Sequence, residues 1–448
     1  MSNRYRCISL LLVVSVLLAL GGPTLAQKKK KDRRKEFGGS VRRLKWDPEI
    51  KQAGETNITT QTTTDDDVIR VETSLVATDL LVLDRQGKPV TGLVAADFIV
   101  NEDDVPQQVG HFLLGGNTGV SRSIVLLIDY SGSQFAYIRD SVEAAKILVD
   151  SLGRNDRMAI VTDDIAMLVD FTTDKRELKK HLDSLVEKSK GSDGFLGLGG
   201  TRRKFGNSAQ YSALMATLKE AFDEEDQRPI VIFQTDGDEA MYLRNSIVNP
   251  AVPEGVPPEL LAQVQEEVEQ RRKLQRDGMT EFSLDDVYRE AEKSRATIYT
   301  VIPGPRLIGL SKERQTQIVK GEDERAVAEM MPTLSKKTRA AFEAREEARK
   351  RFVPPVIFEM RAEELGRVQE ALAALAPLTG GWTEFLESPS QAPSIYRRIL
   401  SDINQRYIIG YYPTNKARDG KRRKLHFEVK GHPEYTIQSR KSYLAPKN

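Results

Sequence analysis

Four stretches of this chain are apolar almost without interruption. They are "SIVLLIDYS" (Ser123–Ser131), "RMAIVTDD" (Arg157–Asp164), "PIVIFQTDGDE" (Pro229–Glu239) and "ATIYTVIPG" (Ala296–Gly304). A strand with no polar face has to be covered on both sides. Segments with helical character lie between or after them, near residues 136–152, 175–188, 208–222 and 363–375. Apolar strands alternating with amphipathic helices predict an α/β domain with a mainly parallel central sheet, over residues 121–405. "AMLVDFTTD" (Ala166–Asp174) and "TGGWTEFLE" (Thr379–Glu387) add further strands.

The two ends of the chain read differently. "VIRVETSLVATDLLVLD" and "DFIVNEDDVPQQVGHFLL" alternate apolar and polar residues, as do "RYIIGYYP", "KLHFEVKG" and "YTIQSRKSYLA" near the C-terminus. Neither set has enough strands to hide two faces alone. The expectation is one small immunoglobulin-like β-sandwich built from residues 68–115 and 406–446, with the α/β domain inserted in it or flanked by it. Two charged, helical segments, 241–292 and 306–361, interrupt the α/β domain. Leu260, Leu261, Val264 and Val268 form one apolar stripe in the first. Both segments follow the carboxyl ends of parallel strands, so both emerge on the same edge of the sheet. They are expected to make a mobile helical platform beside that edge.

The N-terminus resembles a targeting segment. Arg4 and Arg6 precede the apolar run Ile8–Leu20, and "TLA" (Thr24–Ala26) supplies small residues. The run is short for a membrane span. Residues 1–26 therefore read as a secretory signal peptide cut near Ala26, which implies a secreted or periplasmic protein; a signal-anchored protein is the alternative. Lys28–Lys31 follow at once. They are a basic start to a polar, threonine-rich arm over residues 27–67 and a candidate for weak contact with an anionic membrane or wall polymer. The single cysteine, Cys7, would leave with the signal, so disulfides and thiol chemistry are excluded from the mature chain. The formal charge of +2 falls to about zero without Arg4 and Arg6, and gives no argument for nucleic acid.

"IVLLIDYSGSQ" (Ile124–Gln134) ends its apolar run on Asp129, with hydroxyls at Ser131 and Ser133. Ligands of parallel α/β sheets bind at the carboxyl ends of the strands, near the switch point of strand order. Oxygen donors there suit a hard divalent cation, Mg²⁺ by default, with Mn²⁺ or Ca²⁺ as alternatives. A nucleophilic serine lacks support. There is no G-x-S-x-G elbow, and none of the four histidines stands at an obvious partner position. Asp129, at a strand end, is expected to lie outside the core.

D-x-S-x-S after an apolar strand resembles the first metal motif of von Willebrand factor type A domains. "GNSAQYSAL" resembles the second loop of that family, with Ser208 matching a threonine and Ser212 departing from an aspartate. "VIFQTDGDE" resembles the third, assigning Asp236. The flanking "VLDRQGKPVTGLVAADFIVNEDDVPQQV" and "RYIIGYYPTN…RKLHFEVK" are similar to a bacterial, acidobacterial-type VWFA-related family, over about residues 68–446. The resemblance implies a metal-ion-dependent adhesion site with Ser131, Ser133 and Ser208 as direct ligands and Asp129 and Asp236 often acting through water. Asp238 and Glu239 lie beside this set. Asp163 and Asp164, at the end of "RMAIVTDD", are further candidates for which a solvated loop is the simpler expectation.

Neutral hydroxyl ligands leave a bound cation with uncancelled positive charge, which would attract a carboxylate from a partner protein. That makes a metal-dependent protein-binding module, with no catalytic residues, the leading reading. A metal-assisted hydrolase, or a scaffold with a vestigial site acting through its charged helices, are the alternatives.

Overall fold

The computed structural model describes residues 33–41, 75–114, 121–190, 208–223, 228–333 (except 253, 255 and 257), 339, 340, 343 and 355–447. The expected signal peptide, the Lys28–Lys31 run, most of the 27–67 arm and the glycine-rich loop before Ser208 lie outside the described residues. So does most of the polar stretch 334–354.

From the N-terminal side come β1 (Val76–Leu83), β2 (Phe98–Glu102), β3 (Val105–Gln107) and β4 (Val109–Leu114). The α/β module follows with β5 (Arg122–Ile128), α1 (Phe135–Asp150), β6 (Arg157–Thr162), β7 (Ala166–Thr172), α2 (Lys175–Lys190), α3 (Gln210–Ala216) and β8 (Arg228–Gln234). Then come α4 (Pro258–Gly278), α5 (Leu284–Lys293), β9 (Thr297–Pro303), α6 (Lys312–Met330), α7 (Pro355–Leu378), β10 (Thr383–Leu386) and α8 (Ala392–Gln405). The chain closes with β11 (Tyr407–Tyr411), β12 (Arg422–Val429), β13 (Thr436–Gln438) and β14 (Ser442–Leu444).

The central sheet has the order β10-β9-β8-β5-β6-β7. It is parallel from β10 to β6, and β7 runs antiparallel at the edge. Every residue of β5, β8 and β9 is buried, in keeping with their mostly apolar sequence. Alternation splits β5 between two cores. Val125 and Leu127 point into a cluster with Tyr211, Val287, Ala291, Val368 and Leu372, which come from α3, α5 and α7. Ile124, Leu126 and Ile128 point into the other, with Val142, Leu178, Leu182, Ile395 and Ile399 from α1, α2 and α8. Helix α8 was not among the elements expected from the sequence. Helix α5 falls inside the first expected insertion, yet Val287 and Ala291 make it part of the sheet's covering layer. Ser283 starts it, accepting from the Asp286 N–H while Asp286 accepts from the Ser283 N–H.

The end strands pair across the whole length of the chain. β11 lies between β1 and β4, and β12 pairs with β2. The result is two four-stranded sheets, β13-β1-β11-β4 and β14-β12-β2-β3. They share one core of Leu80, Val82, Phe98, Val100, Tyr407, Ile409, Leu425 and Phe427 among others. In β12 exposed and buried residues alternate without exception, so one face meets water and the other this core.

The expected platform differs in detail. Val264 and Val268 of α4 are buried against Val252, Val256 and Met360, but Leu261 is exposed, so the stripe is narrower than four residues. Instead of projecting freely, α4 is fastened by polar contacts. Arg272 donates to the Pro250 carbonyl (2.9 Å), Gln275 to that of Val248 (2.9 Å), and Arg271 pairs with Glu364 (3.0 Å).

Candidate metal centre

Three loops meet at the carboxyl edge of the sheet beside β5, where strand order reverses between β8 and β6. The first continues β5. The Asp129 N–H donates to the Gln234 carbonyl (3.0 Å), so the ladder with β8 holds its backbone one residue past the strand. Asp129 is fully buried, contrary to the expectation that a strand-end residue lies outside the core. Its carboxylate is worth burying only because donors surround it. Oδ1 accepts from the Ser131 N–H (2.9 Å), and Oδ2 from Gln210 Nε2 (3.0 Å) and Thr235 Oγ1 (2.9 Å). The turn beyond brings Ser131 Oγ and Ser133 Oγ to 3.0 Å from each other.

The second loop carries Ser208, whose hydroxyl donates to Asp163 Oδ2 (3.0 Å), while the Ala209 N–H donates to the Asp163 carbonyl (2.8 Å). Asp163 also accepts from the Tyr130 N–H (3.2 Å). It is 2 % exposed, so the expectation of a solvated loop fails: Asp163 is the buried link between the β5, β6 and Ser208 loops. Asp164 is exposed, as a solvated loop residue would be, and accepts from Tyr130 OH (3.0 Å) and Thr162 Oγ1 (2.6 Å).

The third loop follows β8. Asp236 accepts from Gln134 Nε2 (2.6 Å) and Thr235 has turned back to Asp129. Gly237 takes a positive φ of 77°, and an added Cβ would stand 2.7 Å from Leu372 of α7. Only glycine allows this turn to pack so closely on the helix. Asp238 sits exposed on the rim. Glu239 does not face the same way: it is buried and accepts from the Ser212 N–H (2.8 Å) and Ser212 Oγ (2.5 Å). Ser212 is the position where the resembling sequences carry an aspartate. A second acid there would confront Glu239, and the serine gives it a donor.

The electrostatics are one-signed. Burial, then the charge of Asp129, push Asp163 up to about 8, with Asp164 adding to this and the Tyr130 N–H and Ser208 opposing it. Burial, then Asp238 and Asp129, push Asp236 well above the ordinary carboxylate range, against the pull of Ser133 and Gln134. Asp238 moves in the same direction through desolvation and Asp129, although its reach into solvent screens the effect. Every donor described for Asp129, Asp163 and Asp236 is neutral. Mutual repulsion in a low-dielectric cleft is relieved by a cation, so the set fits a divalent metal. The donors are hydroxyls as much as carboxylates. No cluster of three or more His, Cys, Asp or Glu side chains poised to hold a metal occurs among the described residues.

The contacts thus link all five candidate ligands, Asp129, Ser131, Ser133, Ser208 and Asp236, through one hydrogen-bonded and electrostatic network. They also show what residue type alone did not: Gln134, Gln210 and Thr235 hold the carboxylates in place. Thr235 was signalled only by its place beside Asp236 at the end of an apolar strand.

No family model matches the chain, and no curated protein does. Solved structures that overlap it include BatB, a conserved hypothetical protein from Bacteroides thetaiotaomicron (15 % identity, 41 % of this chain and 67 % of that one, TM-score 0.25). The vWF domain of the type V pili tip protein Mfa5 from Porphyromonas gingivalis is another (13 %, 64 % and 95 %, TM-score 0.31). A third is the manganese-loaded TRAP protein of Plasmodium vivax (17 %, 46 % and 61 %, TM-score 0.21). Overlaps this loose carry no argument about fold or function. No helix among the described residues is long and apolar enough to cross a membrane.

Proposed function

We propose that the α/β module is a type A domain of the von Willebrand factor kind. In this reading it holds one divalent cation, Mg²⁺ or Mn²⁺, through Asp129, Ser131, Ser133, Ser208 and Asp236. It works as a secreted or periplasmic adhesion module, without catalysis, and the paired end sheets serve as its immunoglobulin-like mount. The observation that carries the reading is the convergence of buried Asp129 and Asp163 and half-buried Asp236, the last two each repelled by Asp129, with Ser131, Ser133 and Ser208 at the switch point of the sheet.

Each part has a task. Gln210 and Thr235 fix Asp129, Gln134 fixes Asp236, and Asp163 orients the Ser208 hydroxyl. Ser131 and Ser133 lie nearer the surface, where an incoming carboxylate arrives. The cation, when bound, supplies the positive charge that a partner's acidic side chain seeks. In a pull-down from a cell-envelope fraction, the expected result is a partner retained in Mg²⁺, released by EDTA and absent on an Asp236→Asn variant. Capture indifferent to chelator would contradict the reading and leave the charged helices as the binding surface. Turnover of an ester or phosphoester probe that depends on Asp163 would favour a metal-assisted hydrolase instead.

A further inference from the structure

A short piece of the N-terminal arm is built into the α/β module, although the arm's composition predicts no structure for it. Phe37 is 3 % exposed and belongs to the core cluster on the α3 face of the sheet. Gly38 is buried beside it with a φ of 82°, and an added Cβ would lie 2.6 Å from Ile165 Cγ2. Glu220 clamps the peptide's main chain. It accepts from the Gly38 N–H (2.7 Å) and the Ser40 N–H (2.7 Å), and also from the Ser40 hydroxyl. Arg34, Lys35 and Glu36, just before, are exposed.

Both walls of this site are irregular. Glu220 stands on a π-helical turn, Thr217–Ala221, that extends α3. Such turns concentrate at functional sites. Ile165, a β-branched residue, holds a φ of 59° in the β6–β7 turn. That conformation is strained and persists only where surroundings enforce it. The two irregularities meet on the same peptide. The site reads an aromatic ring, a glycine with no room for a side chain, two main-chain N–H groups and a hydroxyl. Generic packing of a tail needs none of that selectivity.

We propose that the α/β module carries a peptide-binding site, read by Glu220 and Ile165, whose ligand is this chain's own segment Glu36–Val41. Segment and site belong to one chain, so occupancy is intramolecular and the segment fills the site in cis. Because the recognition elements lie within a few residues, the same sequence binds when supplied as a separate molecule.

The test uses the full chain with Phe37→Asp, and separately with Gly38→Val, to empty the site. Each is titrated with a fluorescent peptide of residues 33–43 and followed by anisotropy. The peptide should bind both emptied chains at least tenfold more tightly than the wild type, and should raise their melting temperatures. Adding Glu220→Gln to Phe37→Asp should weaken binding at least tenfold, and a peptide with Gly38→Val should not bind. Two results overturn the proposal. One is a pair of folded, emptied chains that ignore the peptide up to millimolar. The other is that neither variant folds, which would make the segment an inseparable part of the core.

Discussion

Arg122 and Asp156 show how a buried charge is tolerated at the base of the α/β sheet, opposite the edge that carries the candidate metal centre. Asp156 accepts from Arg122 Nε (2.9 Å) and Nη2, and from the N–H groups of Arg122 (3.1 Å) and Gly153 (2.6 Å). Burial pushes its carboxyl up, but the Arg122 guanidinium and the two N–H groups outweigh this and hold it below the ordinary value. A carboxyl depressed in the folded state contributes stability that is present above its unfolded value and lost as pH falls through the folded one. Asp156→Asn should therefore flatten the acid limb of a stability–pH profile measured by urea unfolding. At neutral pH it should cost about 3–5 kcal/mol, because Arg122 is left buried without its counter-charge. An unchanged acid limb would mean that other carboxylates govern it. At the candidate metal centre, the sequence singled out Asp129, Ser131 and Ser133 as oxygen donors at the carboxyl end of an apolar strand, and Ser208 and Asp236 through the resemblance of their loops to type A metal motifs. It could not identify Gln134 and Gln210. A glutamine at a helix start has no pattern of its own, and its role arises only when distant loops meet.

Among the elements, strands were the more legible. β5, β6, β8 and β9 are apolar on both faces because helices cover both, and no other environment accepts such runs. Helix α8 escaped for a physical reason. Its stripe of Ile395, Ile399 and Ile403 is regular, but it opens on Pro389, Ser390, Pro393 and Ser394, which read as a loop. The two expected insertions were bounded by charge, yet α5 is amphipathic, and its buried Val287 and Ala291 sit among charged residues that dominate the composition. Glycines fix how closely elements approach. A Cβ on Gly381 would stand 1.8 Å from the Ile298 carbonyl oxygen, at the entry to β10 beside β9. Gly381→Ala should force β10 away from the sheet and destabilise the protein by about 1–3 kcal/mol or more, read from the shift in urea midpoint. A neutral substitution would show that β10 is not seated as described.

The whole molecule is held together where the paired end sheets meet the α/β module. Arg228, at the start of β8, is buried against Asp79 of β1 (2.9 Å) and donates to the Ile403 carbonyl of α8 (3.0 Å). Glu292 of α5 accepts from Arg422 (2.7 Å) and Ser442 (2.9 Å). Arg440 is buried and donates to the Ser294 carbonyl (2.9 Å); desolvation brings it down to about 10 against the pull of Asp79 and Glu292. Such contacts couple the two parts, so calorimetric unfolding should show one transition. Asp79→Ala should move that whole transition down by about 3–5 kcal/mol of stability, since it removes the carboxylate paired with the buried Arg228. A second, separate transition would show that the parts fold independently. The pairing of the chain ends was foreseeable from strand count, but these ion pairs were not, because each joins residues far apart in sequence. The central claim concerns the carboxyl edge of the sheet, and titration calorimetry with Mn²⁺ tests it most directly. The wild-type chain, stripped with EDTA, should bind one ion. Asp129→Asn and Asp236→Asn should abolish that binding, and Ser208→Ala should weaken it at least tenfold, in variants whose far-ultraviolet dichroism is unchanged. A folded wild-type chain that takes up no ion, or an Asp236→Asn variant that binds as tightly as wild type, would contradict the account.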